Sequence, residues 1–147
     1  MEEIRIGLEF GKLNNMIKRY FEFSSHKSEV ETITGNNGWI IGFLSRNAQE
    51  GIDVYQKDIE DHFNITRSTV SNVLSLMEHK GLIQRLPDHQ DARLKKIALT
   101  NKAKGISEIL KADADRMECT LTKGFKPEEL ETLYSFIQRM KENISSN

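Results

Sequence analysis

Two short helices joined by a three-residue turn, over residues 56–80, limit what this chain can fold into more than any other feature of its sequence. Ile59 and Phe63 stand four residues apart, which places them on one face of the first helix. Thr66 ends the turn and is a good N-cap for the second helix. Gly81 supplies the left-handed residue that commonly ends a helix. The pattern therefore predicts a helix-turn-helix.

A β-hairpin is predicted immediately after the second helix. Residues 82–86 form its first strand, which Pro87 ends, and residues 93–99 form the second. The residues between them, 88–92, are mostly polar or charged, so the hairpin has a long, charged tip. Helix, turn, helix and hairpin in this order are the elements of a winged helix-turn-helix, with the hairpin as its wing.

Apolar residues recur at near-heptad spacing near both ends of the chain, which suits packing against another helix. The first stripe holds Ile6, Phe10, Leu13, Ile17 and Tyr20, and the last holds Leu130, Leu133, Ile137, Met140 and Ile144. A buried helix opens at Trp39 after a loop at 34–38, and a long helix follows Thr100. The two stripes exceed what one small lobe needs to cover itself, so we expect a homodimer.

We therefore expect a single domain over residues 1–147, mainly α with a small β-hairpin wing. Residues 1–33 and 101–147 are expected to hold the dimerisation helices, and residues 34–100 the winged helix-turn-helix lobe. The single cysteine, Cys119, excludes an intramolecular disulfide framework and fits a reducing cytoplasm, and we expect it to pack. No apolar run is long enough for a transmembrane helix, so we expect no membrane association.

Positive charge is concentrated in the middle of the chain although the net charge is only −1. Residues 64–104 carry a balance of +5, whereas residues 1–63 carry −4 and residues 105–147 carry −2. A basic middle between acidic ends is typical of a module that binds a polyanion and is embedded in a helical scaffold. On charge alone, chance clustering on a solvated face explains the distribution equally well.

The polar face of the second helix favours DNA. Exposed helix faces usually carry Glu, Lys and Gln, because Ser and Asn compete with the backbone for hydrogen bonds. A major-groove helix instead needs small polar side chains near its N-terminus, and Asn72 can contact an adenine edge through two hydrogen bonds. The alternative is a solvated face that happens to be rich in serine. The residues that we expect to contact DNA here are Arg67, Ser68, Thr69, Ser71, Asn72 and Ser75, with Arg85 and Lys95 on the hairpin.

Residues 54–104, and more loosely the whole chain, resemble the MarR family of bacterial and archaeal transcription regulators. The matching residues are 65–71, 77–83, the wing residues Asp91 and Arg93, and Leu99 with Thr100. The first two blocks occur in many winged-helix regulators, whereas the Asp-x-Arg wing followed by Leu-Thr is much more specific. The resemblance implies an obligate homodimer, joined through its first and last helices, that binds a pseudo-palindromic operator.

The resemblance also implies roles for single residues. Arg93 is expected to enter the minor groove, and Asp91 to hold it in place. Two positions depart from the family pattern, because Tyr55 and Lys126 stand where a capping Ser or Thr usually begins a helix. Neither side chain is a good cap, so we expect each helix to lose about 1 kcal/mol at most.

Many members of that family respond to a small amphipathic or phenolic ligand, bound between the dimer helices and the DNA-binding lobe. Met16, Tyr20, Trp39 and Phe43 are the residues that we expect to line such a cleft. A stripe of Met and aromatic residues is more often plain core, and that alternative stays open.

No other chemistry is indicated by the sequence. Asp58 and His62 stand at i, i+4, but no second cluster of ligands accompanies them, so we expect no metal, no cofactor and four surface or satisfied histidines. No nucleophile-base arrangement or phosphate-binding glycine loop is apparent, so we expect no enzyme. The sequence therefore predicts a cytoplasmic, sequence-specific DNA-binding regulator, most simply a repressor. The rival interpretation is a winged-helix module that binds proteins and not DNA, which the basic segment and the Asp91/Arg93 pair disfavour.

Overall fold

The computed structural model describes residues 3–22 and 38–147, and its elements follow the predicted order. They are α1 (Ile6–Glu22), α2 (Gly38–Gln49), α3 (Gln56–Phe63), α4 (Arg67–His79), β1 (Ile83–Pro87), β2 (Lys95–Leu99), α5 (Asn101–Leu121) and α6 (Pro127–Ser145). The mainly helical fold with a hairpin wing is thus confirmed. Phe23, His26, most of the loop predicted at 34–38 and the expected boundary at 33/34 lie outside the described residues.

The chain divides into two compact units, Met1–Ala114 and Asp115–Asn147. The hydrophobic core belongs to the first unit, where α2, α3, α4 and the hairpin meet and the start of α5 joins them. Its largest fully buried side chains are Ile40, Ile41, Ile59, Val70, Leu74, Met77, Leu82 and Ile83. Burial of this kind provides most of the stability of a small lobe. The assignment of residues 1–33 and 101–147 to dimerisation stays a prediction.

The wing is an antiparallel pair of strands whose register runs from Ile83 opposite Leu99 to Pro87 opposite Lys95. Pro87 is therefore the last paired residue of β1 and not the residue that follows it. The segment before α3 lies along the other edge of β2. There the Val54 carbonyl accepts the Ile97 N–H at 2.8 Å, and Tyr55 forms an isolated bridge with Lys96.

The two ends of α4 have the predicted caps. The Thr66 hydroxyl accepts the Thr69 N–H at 3.3 Å at the N-terminus. Gly81 has a φ of +74° after the C-terminus, and the Leu82 N–H donates to the Met77 carbonyl at 2.9 Å. This is the hydrogen-bond pattern of a helix that ends at a left-handed residue. The position and length of α4 are thus fixed by local chemistry.

The side chains of Tyr55 and Lys126 make no cap hydrogen bond at the starts of α3 and α6, as expected, but an acid within each helix binds the amide of the cap residue. The Asp58 carboxylate accepts the Tyr55 N–H at 2.8 Å, and the Glu129 carboxylate accepts the Lys126 N–H at 2.8 Å. In both helices an acid three residues beyond the cap satisfies the cap residue's own amide, as in one half of a capping box. The expected loss of stability is therefore offset in part by the residue at the third helical position.

The helices near the two ends of the described chain carry exposed apolar side chains. Phe10 and Leu13 of α1 are each 40% exposed, and Leu133 of α6 is 46% exposed. No residue of α6 is buried in the structure. Both predicted stripes are thus largely uncovered in the single chain. No helix within residues 3–22 and 38–147 combines the length and the hydropathy that crossing a bilayer requires.

Candidate nucleic-acid interface

Helix α4 buries one face and exposes the other, as its pattern predicts. Val70, Leu74 and Met77 are fully buried, whereas the polar residues expected to contact DNA lie on the opposite side. Five of the six are exposed to solvent, namely Arg67, Ser68, Thr69, Asn72 and Ser75. A helix that is anchored by one face and presents small polar groups on the other has the profile of a major-groove reading helix.

Ser71 is the exception, because it takes part in the contact between α3 and α4. The Gln56 side-chain amide donates to the Ser71 hydroxyl oxygen at 2.8 Å and lies 3.4 Å from the Arg67 carbonyl. Ser71 is half-buried as a result. Since its oxygen accepts from Gln56, the Ser71 hydroxyl keeps its hydrogen to donate to another acceptor. The same contact fixes the orientation of α4 on α3.

Small hydroxyl groups cluster at the N-terminus of α4. The hydroxyl oxygens of Thr66 and Thr69 are 2.9 Å apart, and those of Thr66 and Ser68 are 3.3 Å apart. Exposed backbone N–H groups at a helix N-terminus carry partial positive charge and favour phosphate. The beginning of α4 thus offers hydroxyl and amide donors on the same exposed surface as Arg67.

The wing presents Arg93 at its tip, held by Asp91. The Arg93 Nε donates to Asp91 Oδ1 at 3.1 Å and its terminal nitrogen donates to Oδ2 at 3.2 Å, while the Arg93 backbone N–H also donates to Oδ1 at 3.0 Å. These bonds lower the pKa of the Asp91 carboxyl below its usual range. The Arg93 side chain is nevertheless 89% exposed. The predicted pairing is therefore present, and it leaves the guanidinium accessible to a ligand.

A second acid, Asp88, organises the turn that leads to this pair. One of its carboxylate oxygens accepts the N–H groups of Gln90 at 3.1 Å and Asp91 at 3.0 Å. The other accepts the hydroxyl of Tyr55 at 2.7 Å. The Tyr55 hydrogen bond is the largest cause that lowers the pKa of Asp88, and the same bond raises the pKa of Tyr55 to about 12. Sequence reasoning missed the bond between Tyr55 and Asp88, although Asp at the start of a polar turn is a recognised signal for bonds to the following amides.

The other two hairpin residues in the predicted DNA-binding set have different surroundings. Arg85 donates to the Ser75 hydroxyl at 3.3 Å, and its Nε lies 3.7 Å from the Glu78 carboxylate. The Arg85 side chain is only 27% exposed, so it faces α4 more than solvent. Lys95 is exposed at the start of β2, whereas its neighbour Lys96 pairs with Asp53 at 3.4 Å.

The residues expected to line a ligand cleft divide into two groups. Phe43 is buried and stacks on His62 with 4.4 Å between ring centroids, and the Trp39 ring meets Phe63 edge-on at 4.3 Å. Met16 and Tyr20 are exposed on α1. The ligand cleft stays a prediction. A shallow groove elsewhere, along the first turns of α6, is lined by Glu128, Glu129, Thr132, Leu133 and Phe136.

The candidate metal ligands and Cys119 are the remaining residues with potential site chemistry. Across the described ranges, no group of three or more His, Cys, Asp or Glu residues is arranged to hold a metal ion. Asp58, which the sequence places near His62, caps α3 instead. Cys119 was expected to pack, but its side chain is exposed on α5, so that expectation is wrong for the single chain. The residue lies on the solvent side of a helix with few buried positions beyond Ile106.

Comparison with known proteins gives consistent matches. A sequence model of the MarR family matches residues 32–94. The chain is 28% identical over 95 residues to the uncharacterized HTH-type transcriptional regulator YybA of Bacillus subtilis (strain 168), and the match covers 65% of this chain. The same match spans 63% of the length of that relative.

Two solved structures are similar over nearly the whole chain. The transcription regulator MarR from Oenococcus oeni PSU-1 is 32% identical with a TM-score of 0.76, over 92% of this chain and 96% of that one. The S. aureus MepR-DNA complex is 31% identical with a TM-score of 0.77, over 96% of this chain and 99% of that one. Both similarities extend beyond the winged helix-turn-helix to the helices that flank it.

Proposed function

Because this chain belongs to the MarR family of transcription regulators, we propose that it binds double-stranded DNA in a sequence-specific manner and regulates transcription as a homodimer. Occupation of promoter DNA makes repression its simplest action. The observation that carries this proposal is the exposed Arg93 guanidinium, oriented by Asp91, beside a lobe that presents the hydroxyl-rich face of α4. The similarity to a protein solved in complex with DNA supports it.

Two elements of the lobe are suited to two different grooves. Helix α4 would lie in the major groove, where Asn72 and the small hydroxyl side chains reach base edges and phosphates. The wing would reach the neighbouring minor groove, whose negative potential attracts an arginine without the reading of individual bases. Direct readout is thus assigned to α4, and recognition of shape and charge to Arg93.

A second copy of the chain is the partner that the terminal helices would require. The apolar stripes of α1 and α6 are largely exposed in the single chain, and contiguous exposed apolar surface marks sites of protein interaction. A symmetric dimer would present two copies of α4, which explains why a pseudo-palindromic operator is expected.

A small amphipathic or phenolic effector, bound near Trp39 and Phe43, would act on the spacing of the two α4 helices. No enzymatic activity is part of the proposal, and the site of action is the cytoplasm.

Selection of genomic fragments tests the central proposal. The purified chain is mixed with fragmented DNA of its own genome, and the retained fragments are sequenced against the input. We expect enrichment of one pseudo-palindromic motif whose half-sites lie about one helical turn apart. Retention without any enriched motif would contradict sequence-specific binding. No retention at all would favour the rival function, a winged-helix module that binds proteins.

The wing is tested by the sign of a charge change. Arg93→Ala should weaken binding to the recovered operator and to random DNA, and reduce the salt slope by about 1. Asp91→Ala should also weaken binding, because Arg93 loses its orientation, although the variant removes a negative charge near DNA. Simple charge counting predicts the opposite. Tighter DNA binding by Asp91→Ala at physiological salt would show that Asp91 only forms the turn. Glu131→Ala on α6 is the control for the loss of an exposed acid.

A further inference from the structure

We propose that Tyr55 and Asp88 are positioning residues for the DNA-binding wing, because the Tyr55 hydroxyl fixes, through Asp88, the turn that presents Arg93. This inference rests on the proposed DNA-binding function and adds to it two residues outside the predicted set of contacts. The pair joins the beginning of α3 to the wing across 33 positions of sequence. It therefore couples the helix-turn-helix to the wing directly.

A continuous series of hydrogen bonds leads from the phenol to the guanidinium. Tyr55 donates to one oxygen of Asp88 at 2.7 Å, and the other oxygen accepts the Asp91 N–H at 3.0 Å. The Asp91 carboxylate in turn accepts the Arg93 side chain through two bonds. The turn is closed at its base by the Asp88 N–H, which donates to the Leu94 carbonyl at 3.2 Å. Displacement of Asp88 would therefore move the backbone that carries Asp91.

The position of the phenol is well defined because the backbone of Tyr55 makes several contacts. Its N–H donates to the Asp58 carboxylate, and the residue forms a β-bridge with Lys96. The preceding residue, Val54, is buried and accepts the Ile97 N–H. The side chain of Tyr55 is half-buried. The Tyr55 hydroxyl is thus joined to the lobe through its backbone, whereas Asp88 belongs to the turn that this hydroxyl contacts.

Charge gives a second reason for the pair. The tip of the wing carries two acids, Asp88 and Asp91, beside the cation Arg93 and the titratable side chain of His89. An acid without donors would repel phosphates, but Asp88 directs its carboxylate toward the Tyr55 hydroxyl and the two turn amides. Three donors, one from the lobe and two from the turn itself, disperse the charge of Asp88. The Asp91–Arg93 pair is then the group that faces outward.

The test is a double-mutant cycle on DNA binding. Tyr55→Phe keeps the ring and removes only the hydroxyl, and it is combined with Arg93→Ala. The probe is a labelled duplex of the operator recovered with the wild-type protein, and affinity is measured over a series of salt concentrations. Tyr134→Phe is the matched control, because it removes the hydroxyl of a tyrosine that is 65% exposed on α6.

We expect Tyr55→Phe to bind the operator about 3- to 10-fold more weakly, which corresponds to the loss of one hydrogen bond. We also expect its salt slope to fall toward that of Arg93→Ala. The double variant should bind no more weakly than Arg93→Ala alone, because Tyr55 acts through Arg93. Additive losses would overturn the inference, since they indicate general stabilisation of the lobe. A wild-type affinity for Tyr55→Phe would overturn it as well.

Asp88→Asn provides an independent arm. The amide has one oxygen acceptor where the carboxylate has two, so it cannot serve the phenol and the turn amides equally. We expect weaker binding despite the loss of a negative charge, and tighter binding would overturn the inference. The DNA-binding function and the positioning role of Tyr55 and Asp88 fail by different outcomes. If wild type binds no DNA, the proposed function fails, whereas normal binding by both Tyr55→Phe and Asp88→Asn with weak binding by Arg93→Ala rejects only the positioning role.

Absorbance of tyrosinate reports the bond without DNA. The difference between wild type and Tyr55→Phe isolates the Tyr55 phenol. Its pKa is raised to about 12, first because the phenol donates a hydrogen bond to Asp88, and then by partial burial and by the nearby carboxylates of Asp88, Asp53 and Asp58. The raised pKa of Tyr55 means that the bond contributes fully below pH 10, as long as Asp88 stays ionised, and is lost as the pH rises through about 12. In Asp88→Asn the transition should move toward 10.0, the ordinary value, and an unchanged transition would contradict the bond.

Discussion

Ser71 and Asn72 are neighbours in sequence, yet they belong to different surfaces of α4. Ser71 is half-buried against α3 and accepts from Gln56, whereas Asn72 is exposed. Only Asn72 therefore has both its donor and its acceptor side free to approach DNA from the exposed face, which suits the paired contacts that adenine requires. Ser71 is better placed to donate to a phosphate or to a base acceptor at the margin of the contact.

Replacement of Asn72 tests this division of roles. Asn72→Ala should lower operator affinity by about 1–3 kcal/mol and relax the preference at one position in each half-site. Selection from a randomised operator library measures both effects together. His79→Ala, an exposed change at the other end of the same helix, serves as the control. An unchanged sequence preference would remove Asn72 from the residues that read bases.

The contacts that sequence reasoning found at the residue scale are the local ones. Asp91 and Arg93 are two positions apart, so their pairing follows from turn geometry and from the family pattern. The bond from Tyr55 to Asp88 crosses 33 positions, and only the folded arrangement of α3 and the wing brings them together. Arg85 is a similar case. Its sequence indicates a free cation on a strand, but packing turns it toward Ser75 and Glu78.

At the scale of elements, the start of helix α3 carries a weak capping signal in its sequence. Tyr55 has no capping side chain, but an acid three residues later is half of a known N-terminal pattern, and Lys126 with Glu129 repeats it in α6. The bounds of α3 and α4 were predictable because caps, turn residues and apolar spacing agree there. The pairing of residues 54–55 with the edge of β2 could not be predicted, because a segment of that length has no periodicity.

The capping acid should therefore support α3 measurably. Asp58→Ala should lower the free energy of unfolding by about 0.5–1 kcal/mol, because the Tyr55 N–H loses its acceptor. Asp61→Ala is the matched control, since it removes an acid from the same helix that forms only an exposed ion pair with Lys57. Urea unfolding followed by circular dichroism measures both. Equal losses for the two variants would mean that general charge, and not capping, stabilises α3.

At the scale of the whole molecule, the sequence predicts the helices α1 and α6. It does not predict how much of their apolar side chains stays exposed in a single chain. The near-heptad stripes predict packing against other helices, and the structure leaves them largely exposed. Apolar side chains at this density are costly in water, so a second surface is needed. The periodicity of apolar residues identifies a helix face that packs against another surface. It does not identify the partner, because the same stripe suits the chain's own helices and those of a second copy.

Helix α6 is where we expect the second copy of the chain to bind. Deletion of residues 125–147 should give a monomeric or unstable product, because α6 and its stripe are lost. A sharper variant is Leu133→Glu with Ile144→Glu, since both side chains are exposed and α6 has no buried residue whose loss would disturb the single chain. Light scattering should report the mass of one chain for this variant and of two for the wild type. Ile52→Glu, at an exposed position of the other unit, should remain dimeric. A dimer that survives in the α6 variant or in the truncated chain would place the interface elsewhere.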